Sequence, residues 1–383
     1  EYATCRNLSY EEIEANIKAG KPYVLRLRSQ GSPDKEITFV DAIKGEIKLP
    51  ENIHDIVLLK KDGIPTYHFA HAIDDHLMRT TTVVRGGEWL ASAPIHYELF
   101  HLLGFKMPAY AHTAHLMKFD EETGGKRKLS KRKDPELSLD YYRKDGYHPY
   151  TMKVYLLTLL NSNFEEWHEK FPDKDINEFP FSVEKMNQSG ALFDKDKLHN
   201  ICKNELSKLS EEELYDFLYD WAKENEPENV EKWFGDREKM LQILRLYMGV
   251  GAKRRRKDLM YAKQIFELIS YFFDGESAEE MDEFKLDEDM VSKILKSYLA
   301  KYDHNDDNSV WFNKLKEIAD EHGFASDMKA YKANPENFKG NVSDIAEAVR
   351  IAVTGRANTP DLWTIVHIMG EEQMTERIKK HIK

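Results

Sequence analysis

The sequence predicts two structural classes in one chain, a mixed α/β front half and an all-α rear half. Up to about residue 140, short apolar or β-branched runs alternate with helical patterns. Beyond that point, apolar residues recur at helical spacing almost throughout. A length of 383 residues also exceeds what one hydrophobic core normally supports. We therefore expect a doubly wound sheet followed by a helix bundle.

The front half begins with a helix and continues with strands. Ser9 and Glu12 form a capping box that starts the helix, and Gly20 ends it. The predicted strands are residues 23–28, 56–59 and 80–84. A longer helix is predicted from Glu88 to a stop at Gly104.

The rear half reads as successive amphipathic helices. A second capping box, at Ser210 and Glu213, starts one of them. Further apolar stripes begin at Ile265, Val291 and Ile345, and each is explained as bundle core. The predicted linkers are residues 172–180, 224–230 and 303–308. We find no internal repeat.

Composition excludes several classes of protein. Hydrophobic residues make up 41% and charged residues 32%, and no apolar run reaches the roughly 18 residues of a membrane span. The only cysteines are Cys5 and Cys202, which favours a reducing compartment, the cytoplasm. The net charge is -12, but the charges are segregated: residues 126–133 and 253–257 are basic, whereas 274–289 is acidic. This segregation favours a polyanion along one side.

The most informative motif lies in the first basic run, where six of eight residues are Lys or Arg. Lys128-Leu129-Ser130-Lys131-Arg132 resembles the lysine loop of class I aminoacyl-tRNA synthetases, in the form typical of glutamyl-tRNA synthetases. Two ammonium groups suit nucleotide chemistry, because they can follow the triphosphate of ATP and offset charge on departing pyrophosphate. The resemblance implies that Lys128 and Lys131 bind ATP and assist catalysis. Taken alone, such a run is more often a solvated loop.

A second segment resembles the same family in order and spacing. It runs from Pro65-Thr66-Tyr67 through Asp74-Asp75-His76 and Arg85-Gly86-Gly87-Glu88-Trp89 to Pro94-Ile95-His96. By this resemblance Arg85 contacts the side-chain carboxylate of glutamate, which a guanidinium can meet with two parallel hydrogen bonds. Tyr67 and His71 shape the same pocket, and Glu88 and Trp89 lie against ATP. Asp74, Asp75 and His76 are interpreted as a structural turn, so no metal site is predicted.

One position leaves the amino acid open. His71 stands where glutamyl enzymes often have Asn and where glutaminyl enzymes have His. Arg85 argues for glutamate, because a guanidinium facing a neutral amide would be a partly unpaired charge. The helical rear half argues the same way, since it is similar to bacterial glutamyl enzymes, whereas glutaminyl enzymes of the well-known type end in β-barrels. Glutaminyl-tRNA synthetase remains an alternative.

The resemblance spans nearly the whole chain and implies five parts. They are 1–64, the C-terminal part of an acceptor-arm insertion domain; 65–133, the second half of a Rossmann-like catalytic fold; 134–205, a stem-contact domain; and 206–300 and 301–383, two helical anticodon-binding domains. The His-Ile-Gly-His motif of class I synthetases does not occur in the sequence. We therefore expect an N-terminally truncated chain. Tyr2-Ala3-Thr4-Cys5 resembles the tail of a zinc motif, but one cysteine cannot hold zinc, so zinc is not expected.

The predicted function is that of a bacterial-type glutamyl-tRNA synthetase. Glutamate would be activated with ATP and Mg²⁺ and ligated to tRNA(Glu), with catalysis mainly by positioning and charge stabilisation. Arg254, Arg255 and Arg256 are candidate tRNA contacts, with a solvated loop as the alternative. A tRNA-binding fragment without activity is the second hypothesis. A cytoplasmic monomer is expected, and the choice between tRNA(Glu) alone and additional use of the glutamine tRNA stays open.

Overall fold

A computed structural model describes residues 5–120, 122–188, 190–273 and 281–383. Unit 1 comprises Glu1–Leu137 and Lys153–Asp194, and unit 2 comprises Ser138–Met152 and Lys195–Lys383. The start of the cysteine motif, residues 2–4, and the first part of the acidic run, residues 274–280, lie outside the described residues. The five-part division by resemblance stays a prediction.

The first 137 residues alternate between helices and strands, as expected for the front half. The elements are α1 (Tyr10–Lys18), β1 (Leu25–Arg26), β2 (Glu36–Asp41), β3 (Gly45–Pro50), β4 (Val57–Leu59), α2 (Tyr67–Leu77), β5 (Thr82–Gly86), α3 (Ala93–Leu102), β6 (Ala109–Thr113), β7 (Leu116–Phe119) and β8 (Lys126–Lys128). Next come α4 (Leu139–Asp145) in unit 2, α5 (Pro149–Leu160) across the division, and α6 (Phe164–Lys170) and β9 (Ala191–Leu192) in unit 1.

The sheet that positions the candidate site has the strand order β3-β2-β6-β5. Strands β5 and β6 are parallel, and α3 lies between them in the chain, which gives the expected βαβ connection. Strand β2 is also parallel to β6, whereas β3 returns antiparallel to β2. The sheet is therefore mixed. Its buried core includes Phe39 and Tyr110.

Two local expectations in this half are corrected. The helix expected from Glu88 is a 3₁₀ helix at Gly87–Ser92 before α3 begins at Ala93. Pro94 explains the change, because proline fits only in the first turn of an α-helix. The turn expected at residues 74–76 is wrong, since these residues lie in the last turn of α2, where the His76 ring stacks on Phe105. The chain turns later, at Arg79, which has a positive φ of 57°.

Unit 2 continues as helices, as predicted. They are α7 (Lys195–Leu206), α8 (Glu211–Asn225), α9 (Val230–Phe234), α10 (Arg237–Met248), α11 (Ala262–Ile269), α12 (Glu288–Lys301), α13 (Asn308–His322), α14 (Met328–Ala333), α15 (Val342–Thr354), α16 (Leu362–Met369) and α17 (Glu371–Lys379). Both predicted capping boxes are confirmed, at Ser9 and at Ser210. The apolar stripes of α8, α11, α12 and α15 join one buried cluster.

Candidate active site

Arg85 lies in β5 and is held by side chains from neighbouring elements. The parallel register pairs Arg85 with His112 of β6, which places the two side chains together. The Arg85 Nε donates a hydrogen bond to His112 Nε2 at 2.9 Å. Its outer nitrogens make longer contacts, 3.3 Å from Nη1 to His96 Nδ1 and 3.5 Å from Nη2 to the Trp89 carbonyl oxygen. The inner edge of the guanidinium is fixed, and the outer edge has weaker partners.

His112 is in turn fixed by Asp41 at the end of β2. The His112 Nδ1 lies 2.6 Å from Asp41 Oδ2, and the His112 backbone N–H donates to the same oxygen at 3.0 Å. The other carboxylate oxygen accepts the backbone N–H groups of Ile43 and Lys44, each at 2.9 Å. Burial opposes ionisation of Asp41, but these hydrogen bonds together hold its pKa below the usual range. The carboxylate is thus ionised and fully bonded.

Aromatic rings surround the guanidinium. The Tyr67 and Trp89 rings lie 4.6 Å apart between centroids, and the Arg85 Cζ lies 4.8 Å from the Tyr110 ring and 5.9 Å from the Trp89 ring. Such contacts favour a cation over the ring faces. We call this set the Arg85 cluster; its members are Tyr67, His68, His71, Arg85, Trp89, His96, Tyr110 and His112.

The histidines of the cluster bond to one another and to Tyr110. His68 Nδ1 lies 2.9 Å from His96 Nε2, and His71 Nε2 lies 2.7 Å from the Tyr110 hydroxyl. Burial, together with the positive charge of Arg85, lowers the pKa of His68, His71, His96 and His112, and that of His96 falls to about 2. These imidazoles are therefore neutral at pH 7, while the guanidinium keeps its charge. The arrangement suits a carboxylate ligand.

The lysine motif lies at the end of β8, which pairs with β7. Lys128 Nζ is 3.6 Å from Glu88 Oε1, and Glu88 Oε2 is 3.4 Å from His115 Nδ1. The Lys128 and Glu88 side chains are about half exposed, at 52% and 50%. Lys131 is exposed in the turn that follows. Two residues predicted to meet ATP, Glu88 and Lys128, are thus adjacent.

Asp134 anchors this loop from within. Arg127 Nη1 and Nη2 donate to its two carboxylate oxygens, each at 2.7 Å, and the Ser130 backbone N–H donates at 2.8 Å. The Asp134 residue is 1% exposed. Its bonds to Arg127 lower the pKa of the carboxyl well below its usual range. The bidentate pair joins Arg127, near the start of the basic run 126–133, to Asp134, the residue directly after that run.

The three arginines predicted to contact tRNA lie in unit 2, after α10. Arg254 and Arg256 line a groove of about 660 Å³ together with Arg245 and residues of α10 and α16. Arg256 is paired with Asp258 at 2.6 Å, whereas Arg254 and Arg255 are exposed. A groove with these cations can take an anionic polymer.

Comparison with known proteins identifies the family. The family model described as tRNA synthetases class I (E and Q), catalytic domain, matches residues 1–200, and the model described as anticodon binding domain matches residues 213–382. The glutamate--tRNA ligase of Acetivibrio thermocellus is 52% identical over 99% of this chain and 69% of its own length, and that of Clostridium perfringens strain SM101 is 46% identical over 100% and 69%. The chain belongs to the glutamate--tRNA ligase family.

A solved structure agrees with this assignment. The crystal structure of a glutamate tRNA ligase from Elizabethkingia meningosepticum, in complex with its amino acid, superposes with a TM-score of 0.71. It is 25% identical, and the match covers 98% of this chain and 71% of that one. The expected fold class, family and enzyme type are thereby confirmed. The glutaminyl alternative gains nothing from these relatives, which carry the glutamate name.

In this member of the glutamate--tRNA ligase family, sequence patterns identified some residues of the candidate active site and missed others. The structure brings together Tyr67, His71, Arg85 and Trp89, as the resemblance implied, although their roles stay predictions. Asp41, Tyr110, His112 and Asp134 were missed, and His96 was quoted only as part of the Pro94-Ile95-His96 motif, without a role. One signal was available: β2 alternates outward and inward residues, and Asp41 takes an inward position after Ile37 and Phe39. An acidic residue in that position predicts a buried carboxylate with partners.

Metal-binding groups and membrane-spanning helices are absent from the part of the chain that the structure describes. There, no group of three or more His, Cys, Asp or Glu side chains could hold a metal ion. Within the same residues, no helix is long and apolar enough to cross a membrane. Cys5 is exposed and Cys202 is buried, and both are free thiols. The expectations about zinc and oligomeric state stay predictions.

Proposed function

We propose that this chain binds glutamate at Arg85 and ATP beside Glu88 and Trp89, and acts in the ligation of glutamate to tRNA(Glu). The observation that carries the proposal is the Arg85 guanidinium set among neutral imidazoles and aromatic rings. A ligand carboxylate there meets a full positive charge and two outer nitrogens with only long contacts. Glutamine would leave that charge unmatched.

His71 is proposed to support the pocket rather than to choose the amino acid. Its Nε2 lies 2.7 Å from the Tyr110 hydroxyl, and its Nδ1 lies 2.7 Å from the Asp75 carboxylate. Because both ring nitrogens have close neighbours inside the protein, neither is free to select a ligand amide. Tyr67, which is 48% exposed, is the better candidate for contact with the ligand.

The proposed chemistry needs position and charge more than proton transfer. The α-carboxylate of glutamate attacks the α-phosphorus of ATP, and the bond to pyrophosphate breaks, which leaves glutamyl adenylate. A hydroxyl of the terminal ribose of tRNA then attacks the acyl carbon, the acyl–phosphate bond breaks, and AMP leaves. Lys128 and Lys131 offset charge on the departing pyrophosphate. Mg²⁺ is proposed to arrive with the ATP phosphates, which is its usual mode of binding. The described residues form no dedicated metal cluster, so we assign the ion no separate step.

Charging of tRNA tests the proposal. The full chain is offered labelled glutamate or glutamine with ATP, Mg²⁺ and bacterial tRNA. We expect glutamate to be charged and Arg85→Lys to raise its KM about 10- to 100-fold, because lysine gives one charged hydrogen bond in place of a fork. Arg79→Lys, an exposed arginine before β5, is the matched control and should leave the KM unchanged. Charging with glutamine instead would refute the assignment.

A tRNA-binding role without charging is the second candidate, favoured by the anticodon-binding match over residues 213–382. We propose that Arg254, Arg255 and Arg256 contribute to this binding. Their joint replacement by alanine should weaken tRNA binding and lower its salt slope by up to about 3, one for each phosphate contact. Replacing the three lysines of α12 removes the same charge and serves as the control. An equal loss of tRNA affinity in both variants would show that the three arginines do not contact tRNA. We propose a cytoplasmic location, in line with the two free cysteines, and a monomer as the working form.

A further inference from the structure

We infer that Asp41 is a positioning residue for the amino-acid site and acts on Arg85 through the His112 ring. The inference rests on the proposed function of Arg85 as the carboxylate-binding group. It joins residues of three strands, β2, β5 and β6, which the sheet order brings together. None of the sequence motifs includes Asp41 or His112.

The donor and acceptor of each hydrogen bond between Asp41, His112 and Arg85 follow from the chemistry of the three side chains. A guanidinium can only donate, so the 2.9 Å contact from Arg85 Nε makes His112 Nε2 an acceptor. A neutral imidazole carries its single proton on the other nitrogen, and His112 Nδ1 therefore donates to Asp41 Oδ2 at 2.6 Å. Asp41 thus selects the tautomer that Arg85 requires.

The Asp41 carboxylate is itself immobile. Its side chain and that of His112 are 0% exposed, and it accepts backbone N–H groups from Ile43, Lys44 and His112. Because both oxygens accept hydrogen bonds, any rotation of the carboxylate short of a half-turn, which only exchanges the two equivalent oxygens, would break them. The backbone therefore fixes the Asp41 carboxylate, the carboxylate fixes the His112 ring, and the ring fixes the Nε edge of Arg85. The outer edge of the guanidinium is left aimed at a ligand.

The Asp41→Asn substitution tests these hydrogen bonds from Asp41 through His112 to Arg85 with almost no change in side-chain shape. Whichever way the amide is turned, its NH₂ group faces either the Ile43 and Lys44 N–H groups or the His112 N–H groups. If it faces His112, the ring must move its proton to Nε2, which then opposes the Arg85 Nε donor. If it faces Ile43 and Lys44, two buried backbone N–H groups lose their acceptor and repel the amide, so the side chain that holds His112 is displaced. We expect glutamate to bind at least about ten-fold more weakly, as after loss of one charge-assisted hydrogen bond.

The direction of this effect discriminates between explanations. Asp41 is an anion, so deleting its charge alone would favour a carboxylate ligand and tighten binding. Glutamate affinity, measured by calorimetry on the full chain, should instead fall. In an Arg85→Lys background there is no guanidinium edge to orient, so Asp41→Asn should change the affinity less than about three-fold. An equal loss in both backgrounds would show a merely structural role and overturn the inference.

A spectroscopic readout decides the inference even if the chain fails to bind glutamate. With ¹⁵N-labelled histidine, the His112 signals, assigned by their loss in His112→Gln, should show a protonated Nδ1 and an unprotonated Nε2 at pH 7.5. A proton on His112 Nε2 would overturn the inference that Asp41 acts on Arg85 through this ring. Absent glutamate binding would overturn the proposed function alone. If Asp41→Asn does not fold, His112→Leu replaces it: it should lose affinity, whereas His112→Gln, whose amide keeps one donor and one acceptor, should retain most of it.

Discussion

Acidification should destabilise unit 1 through His96, and the effect can be isolated by one substitution. His96 lies on α3 with 0% exposure, beside His68 and the Arg85 guanidinium. Burial first, and then the neighbouring charges, lowers its pKa from 6.5 to about 2. The folded protein therefore keeps His96 neutral at a pH where the unfolded chain has already taken up the proton. Stability must fall as the pH drops below 6.5.

The magnitude follows from the two pKa values of His96. At pH 7 little proton binding occurs in either state. At pH 5 the unfolded state is almost fully protonated at this ring and the folded state is not. Linkage then gives a loss of about 2 kcal/mol between pH 7 and pH 5 from His96 alone. The His96→Gln variant lacks this proton, so its unfolding free energy should fall by about 2 kcal/mol less than that of the unaltered chain over the same interval.

Urea unfolding at pH 7 and pH 5 provides the assay, followed by pulsed hydrogen exchange and mass spectrometry at one fixed pH. Peptides from α2 and α3 report unit 1 separately, which matters because a chain of two units need not unfold in one step. His101→Gln is the control, since His101 lies on the same helix but is exposed. If His96→Gln and His101→Gln show the same loss from pH 7 to pH 5, the neutral buried state of His96 is refuted.

Two further predictions concern the lysine loop and the helical unit. Asp134→Asn removes one charge of the bidentate pair with Arg127. Tryptic cleavage within residues 126–133 should become about ten-fold faster, because one charge-assisted hydrogen bond is worth at least about 1.4 kcal/mol. Unchanged cleavage would contradict the anchoring role of Asp134. Gly146→Ala should destabilise unit 2 by about 2–4 kcal/mol in thermal or urea unfolding, since φ is 78° and a Cβ would lie 2.4 Å from that of Ala262. Gly323→Ala, at a residue with the same left-handed conformation (φ 81°) but with its nearest contact at 3.6 Å, should cost only about 1–2 kcal/mol. Equal losses would show that contact with α11 adds nothing.

Local sequence signals predicted much of the fold. The capping boxes at Ser9 and Ser210 each involve residues three apart, so no distant contact is needed to recognise them. The apolar stripes of the rear helices are equally local. Element boundaries were harder: Pro94 delays the α-helix, and Asp74 and Asp75 continue α2 where a turn was expected. Helical spacing alone does not separate a 3₁₀ turn from an α-turn.

The site was only partly visible in the sequence. Tyr67, Arg85 and Trp89 were found by resemblance to a family, and the structure places them together. The contact between Arg85 and His112 depends on the register of two parallel strands joined by a helix, and no local pattern specifies that register. Asp41 joins through a third strand, far earlier in the chain. Such contacts follow only from the assembled sheet.

The choice of histidine at position 112 has a physical reason. A carboxylate in direct contact with Arg85 would hold the guanidinium equally well, but it would also neutralise part of the charge and repel an anionic ligand. A neutral imidazole holds the same nitrogen without adding charge, and the Asp41 carboxylate that fixes it lies on the far side of the ring. A ligand carboxylate can therefore meet a guanidinium that is already oriented and still fully charged. Because the neutral His112 ring holds the Arg85 guanidinium, the cation is oriented in advance without losing its affinity for a ligand carboxylate.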